Sequence, residues 1–206
     1  MRLQNPLSAL SSSLEMGILY VLCGADESFT APLIHRLLPE EGSLPGVRYA
    51  LPGLVDQGIV LERKLGRIST FALNRDHVLA GLLMDMAQSK AVLLGRIGET
   101  VASWRMSPTV VTLFGSAARG DMRSDSDIDL FLLFPDGMVD GSVEDDVASL
   151  ASMVASWTGN DARPLVYTHD EVEDNPLFRG IVDEGIHIFG DRRALVRQMR
   201  LKRDAA

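Results

Sequence analysis

The chain has 206 residues, 46% hydrophobic and 23% charged, with a formal net charge of -8; that is enough apolar material for one or two folded cores and excludes a disordered acidic tail. A single cysteine, Cys23, excludes an internal disulfide and a cysteine zinc cluster. No run reaches the roughly 18 apolar residues of a membrane span, and the opening MRLQNPLSALSSS lacks the apolar centre of a signal peptide, so a cytoplasmic protein with no membrane partner is expected.

In chain order, Leu14 to Cys23 has helical apolar spacing. Thr30 can cap a second helix over Ala31 to Leu38 with Pro32 in its first turn, and a third fits Val47 to Gln57, ended by Gly58. Ile59 to Arg63 and Ile68 to Leu73 read as two strands of a hairpin, joined by Lys64-Leu-Gly-Arg67. Three helices followed by a basic hairpin make a winged helix. The segment resembles the DNA-binding domain of bacterial winged-helix transcription regulators, notably in Gly46 to Leu51, Leu54 to Val60 and Gly66 to Asn74. The resemblance implies that Arg48 reads bases of double-stranded DNA in the major groove while Arg63, Lys64 and Arg67 touch phosphates or the minor groove. Residues 1 to 75 hold seven Lys and Arg against seven Asp and Glu, so this segment lacks a strongly basic field, and a protein-contact module is the alternative.

From Arg75 to Trp104, apolar residues recur at three-four spacing (Leu79, Leu82, Leu83, Met86, Leu93, Leu94, Ile97, Val101), the pattern of an amphipathic connecting helix. Gly81, Gly95 and Gly98 weaken it and predict a break near Gly95. Its exposed stripe could also serve a homodimer.

The richest segment follows. Thr109 to Phe114 is a β-rich apolar run, GSAARGDMRSDS from Gly115 to Ser126 a small polar loop, and Asp127 to Phe134 a second apolar run. Because strand side chains alternate, Asp127 and Asp129 share a face with Phe131 and Leu133. Two carboxylates so placed offer hard oxygen ligands suited to Mg2+ or Mn2+. A Gly115-Ser116 turn lets backbone amides approach a phosphate, with the Ser116 hydroxyl as a further donor and Arg119 and Arg123 as counter-charges.

Gly115, Ser116, Asp127 and Asp129 together resemble the signature of the DNA polymerase beta superfamily, in the short form of its minimal nucleotidyltransferases, over roughly residues 108 to 190. The resemblance implies transfer of a nucleoside monophosphate from a nucleoside triphosphate, AMP from ATP foremost, to a hydroxyl on a protein or small molecule. It also implies a third carboxylate on the strand after the next helix. After the helical stretch Val143 to Trp157, the strand interior Pro164 to Tyr167 holds no acid, and Val166 stands where one is expected. Asp161 is the nearest substitute as a metal ligand, followed by Asp170 and Glu171. The four histidines have no partner at metal-ligand spacing, and Gly-Ser-Ala-Ala is not a hydrolase elbow.

The expected architecture is α/β (α+β): a winged helix over residues 1–75, a connecting helix over 76–107, a nucleotidyltransferase domain with a small mixed sheet flanked by helices over 108–190, and a C-terminal helix from Asp191. Two alternatives to a transferase stand beside it. One is a nucleotide-responsive DNA-binding regulator with a weak or inactive transferase domain; the other is an antitoxin-like protein that engages a toxin partner.

Overall fold

A computed structural model describes the backbone of residues 1–205 and the side chains through Arg203. The chain divides into two compact units, Arg2 to Lys90 and the residues from Ala91 onward together with Met1. The expected boundaries after residues 75 and 107 bracket that division.

In the first unit α1 (Leu14–Cys23), β1 (Phe29–Thr30), α2 (Ala31–Leu37) and α3 (Leu44–Asp56) precede a hairpin of β2 (Val60–Leu65) and β3 (Ile68–Leu73). Helix α3 starts three residues earlier than its apolar spacing suggests. The reason is local: the Gly46 amide donates to the Ser43 hydroxyl at 3.1 Å, and Pro45 sits in the first turn, where its missing N–H is no loss. Val47, Ala50, Leu51 and Leu54 then fall on one buried face. They pack with Ile18, Leu22, Ile34 and Phe71 in the core of the unit. The hairpin turns at Gly66, whose φ of 62° is left-handed, and pairs Leu65 with Ile68. The two-residue β1, too short to announce itself by alternation, joins β3 through Phe29 and Phe71, so the sheet order is β1-β3-β2.

The long apolar pattern that follows forms two helices, α4 (Ala80–Ala87) and α5 (Ser89–Ala102), interrupted at Gln88 rather than near Gly95. Helix α5 runs through Gly95 and Gly98 because Leu93, Ile97 and Val101 are buried along it. Each such side chain contributes about 1.5–3 kcal/mol on burial, more than the ~1 kcal/mol that a helical glycine costs.

The second unit is built on a four-stranded mixed sheet in the order β6-β5-β4-β7, from β4 (Val110–Phe114), β5 (Ile128–Phe134), β6 (Ala162–Thr168) and β7 (Ile186–Gly190). Strands β4 and β5 are antiparallel, with Phe114 opposite Asp129. Between them lies α6 (Gly115–Arg119), so the first part of the expected loop is a helical turn. A left-handed Gly115 turns the strand into it and a left-handed Gly120 ends it. Strands β5 and β6 are parallel and joined by α7 (Gly141–Thr158), the crossover that a parallel pair requires. The Asp140 carboxylate accepts from the Ser142 and Val143 amides to start α7, and left-handed Gly159 closes it.

Helix α8 (Pro176–Glu184), not read from the sequence, is capped by Asn175 and lays Phe178 against Phe131 and Tyr167, with ring centres 5.9 and 5.0 Å away. Helix α9 (Ala194–Ala205) begins three residues beyond the expected Asp191, whose side chain instead accepts from the Arg193 amide. Among the described residues no helix is long and apolar enough to cross a membrane.

Candidate functional site

Strand β5 runs through the middle of its sheet, and Ile128, Leu130, Phe131, Leu132, Leu133 and Phe134 are all inaccessible to solvent. The two acids stand at its N-terminal end, where the chain emerges from this core. Asp127 precedes the strand and Asp129 is its second residue, opposite Phe114 and beside the Gly115 turn.

Gly115 is required there twice over. Its φ of +68° is left-handed, and a Cβ on it would collide with the Asp129 carboxylate. The glycine therefore admits the acid as well as turning the chain. Burial pushes the Asp129 carboxyl above its ordinary value, the negative charge of Asp127 adds to the rise, and Arg163 and Arg119 oppose it.

Asp127 is paired. The Arg163 Nη2 lies 2.8 Å from its Oδ2, with 71% of the arginine side chain exposed against 24% of the aspartate's. Arg163 is the β6 residue in register with Asp129, and in-register parallel strands send paired side chains to the same face. The acid face of β6 accordingly reads Arg163, Leu165, Tyr167, opposite Asp129, Phe131 and Leu133. This corrects the expectation for Val166, which pairs with Leu132 and belongs to the other face. A third carboxylate would be needed at 163 or 165, and a cation occupies the first of these. Searching the strand for acids alone passed over this arginine; the parallel register is the signal that finds it.

Asp161 supports the site through its backbone. Its carbonyl accepts from the Ile128 amide at 2.8 Å and aligns the starts of β5 and β6, while the residue itself is exposed. Among the described residues no group of three or more His, Cys, Asp or Glu side chains is placed to hold a metal ion, so Asp161 is not gathered with Asp127 and Asp129. Buried Asn160 donates to the Ser126 carbonyl at 2.9 Å and fixes the approach to Asp127.

Of the other expected phosphate ligands, Arg119 is near enough to Asp129 for its charge to favour the carboxylate. Ser116 is the second residue of α6, and its carbonyl accepts from the Gly120 and Asp121 amides. The Arg119 guanidinium donates to Asp121 and Glu184, both at 3.3 Å, and these bonds raise its pKa. Arg123 is exposed and donates its amide to Ser126 Oγ. As a donor set the site fits one divalent cation: Asp127 and Asp129 supply hard oxygens, and the repulsion between them is what a cation relieves.

In the first unit Arg48 and Arg67 line one groove of about 660 Å³ between α3 and the hairpin, together with Asp56 and Glu62. Arg63 and Lys64 are neighbours on β2 and alternate faces, and Lys64 lies 3.9 Å from Glu62.

Comparison with known proteins bears on the second unit. Residues 98–154, just over a quarter of the chain, match the family model of the nucleotidyltransferase domain. Among solved structures, a toxin-antitoxin complex crystallised with AMP-PNP is 19% identical, with 52% of this chain and 81% of that one covered at a TM-score of 0.39. The MntA-HepT toxin-antitoxin is 17% identical over 56% of this chain and 88% of that one, TM-score 0.38. A mutant MntA-HpeT toxin-antitoxin gives 17%, 57%, 84% and 0.37. No curated protein matches in sequence. The segment matched by the nucleotidyltransferase domain model is thus the one that carries Gly115, Ser116, Asp127 and Asp129.

Proposed function

We propose that the second unit is a nucleotidyltransferase that moves a nucleoside monophosphate, AMP from ATP, onto a hydroxyl of a protein or small molecule. The observation that carries this reading is the seating of the Asp129 carboxylate on Gly115 with Asp127 beside it, inside the segment matched by the domain family. In the reaction the bond between the α-phosphorus and the oxygen bridging to the β-phosphorus breaks, the acceptor oxygen takes its place, the hydroxyl proton passes to water and pyrophosphate leaves. Phosphoryl transfer rests mainly on positioning and charge neutralisation, which is what this unit has to offer. Asp127 and Asp129 would hold one Mg2+ or Mn2+, which when bound supplies charge at the phosphate oxygens. The α6 turn at Gly115 and Ser116 would face the phosphates, with Arg119 and Arg123 at the rim.

The test is transfer of label from α-labelled ATP into host lysate by the whole chain. Labelled product with the wild-type chain, and none with Asp129→Ala, is the expected result; equal labelling by both rules the site out.

A second reading concerns the first unit, proposed as a winged helix that contacts double-stranded DNA. It is favoured by Arg48 of α3 and Arg67 of the hairpin meeting in one groove, and opposed by Asp56 and Glu62 in the same groove. A module that binds a protein acceptor, a toxin partner or a second copy of the chain is the outcome if DNA is not bound.

A further inference from the structure

Arg163 stands where the second unit has most reason to place a negative charge. Its guanidinium is 2.8 Å from Asp127, and it is in register with Asp129, whose carboxyl it also stabilises as the anion. A divalent cation approaching Asp127 and Asp129 therefore meets a resident positive charge. That charge is loosely held. Most of the Arg163 side chain is exposed, so the guanidinium can swing away with no rearrangement of the core. With its arginine largely in water and only Asp127 withdrawn, this ion pair is weakly held and yields to a stronger partner. A triphosphate is such a partner, because a planar guanidinium binds phosphate oxygens in bidentate fashion.

We propose that Arg163 is a nucleotide-operated latch: it closes Asp127 to metal in the empty protein and moves to the triphosphate when nucleotide arrives, opening the acid pair. This rests on the acid-pair reading of the site and adds a coupling to it. Nucleotide and metal then bind cooperatively through a side chain that trades one anion for another, and the coupling is reciprocal.

Two separate titrations of the whole chain test this. Mn2+ alone is followed by the loss of its free-ion magnetic resonance signal, and a non-hydrolysable ATP analogue alone is followed by calorimetry in EDTA. Arg163→Ala is expected to tighten Mn2+ binding about three- to fivefold, the order of a weakly held ion pair, and to weaken analogue binding by at least as much. Arg163→Lys keeps the charge without the fork, so it should leave Mn2+ binding near wild type and still weaken the analogue. Opposite signs are the signature of the latch; structural damage would weaken both ligands together, and thermal melting of each variant checks the fold. No change in Mn2+ affinity, weakening of both ligands, or tighter Mn2+ with unchanged analogue each overturns the proposal. Asp127→Ala separates the two levels. If it leaves Mn2+ binding intact, the acid-pair reading fails and takes the latch with it. If it abolishes Mn2+ binding while Arg163→Ala changes nothing, only the latch fails.

Discussion

The two units carry their charges in opposite ways. In the first, Arg48, Arg63, Lys64 and Arg67 are all exposed, and the groove that collects two of them also collects Asp56 and Glu62. In the second, Asp129 is partly withdrawn from water, pressed onto a glycine and set beside a second carboxylate. Exposed charges cost almost nothing to keep, so their presence says little about use. A partly buried carboxylate beside a like charge is unfavourable in the folded state and persists where it serves a purpose. The comparison places the stronger functional commitment in the second unit.

The largest effect expected is from Gly115→Val. It forces a β-branched residue into a left-handed backbone, a strain of about 1–3 kcal/mol, and drives its Cβ into the Asp129 carboxylate. Melting should fall and binding of the ATP analogue should vanish. A variant that melts and binds like wild type would break the contrast between the units at its strongest point.

Next, Asp127→Ala and Asp129→Ala should each remove divalent-cation-dependent triphosphate binding while leaving a folded chain, because each deletes a ligand at the edge of the core. Calorimetry on the folded variants decides this, and unchanged binding in both sinks the acid pair.

A smaller effect concerns pH. The Asp129 carboxyl titrates above its ordinary value through burial and the charge of Asp127, against the pull of Arg163 and Arg119. A raised carboxyl contributes stability that is fully present below its unfolded pKa and is lost as pH rises through its folded pKa. At neutral pH the ionised group therefore destabilises the fold. In EDTA, Asp129→Asn should melt higher than wild type at pH 7, with the gap closing towards pH 4. A gap that widens on acidification contradicts the assigned burial.

The smallest effects belong to the first unit. Arg48→Ala should narrow the preference for the promoter of the chain's own gene over a scrambled duplex, whereas Lys64→Ala and Arg67→Ala should weaken both equally and flatten the salt dependence by about one charge each. Negligible binding to any duplex at low salt would instead make this unit a protein-contact module.

How much of this was readable beforehand follows from the range of each interaction. Helix α3, the hairpin and strands β4 and β5 follow from apolar spacing and turn residues within a dozen positions, and they stand close to where those signals put them. Helix α8 was legible and passed over: Asn175 caps it, Pro176 opens it, and Phe178 and Ile181 recur at helical spacing on its buried face. The break in the connecting helix moved from Gly95 to Gln88 because burial of Leu93, Ile97 and Val101 outweighs glycine propensity, and burial depends on the partner surface.

By itself the amino-acid order determined the alternation that brings Asp127 and Asp129 together, the glycine that turns into α6 and the nucleotidyltransferase-like spacing between them. These are local consequences of strand pleat and backbone sterics. Only the tertiary structure decided what faces the acids. The parallel register of β6 against β5, held in part by the Asp161 carbonyl and the Ile128 amide, brings Arg163 rather than Val166 to their side. A shift of one residue would have reversed the two, because strand side chains change face at every step, and the register is set by packing across a crossover of more than two dozen residues.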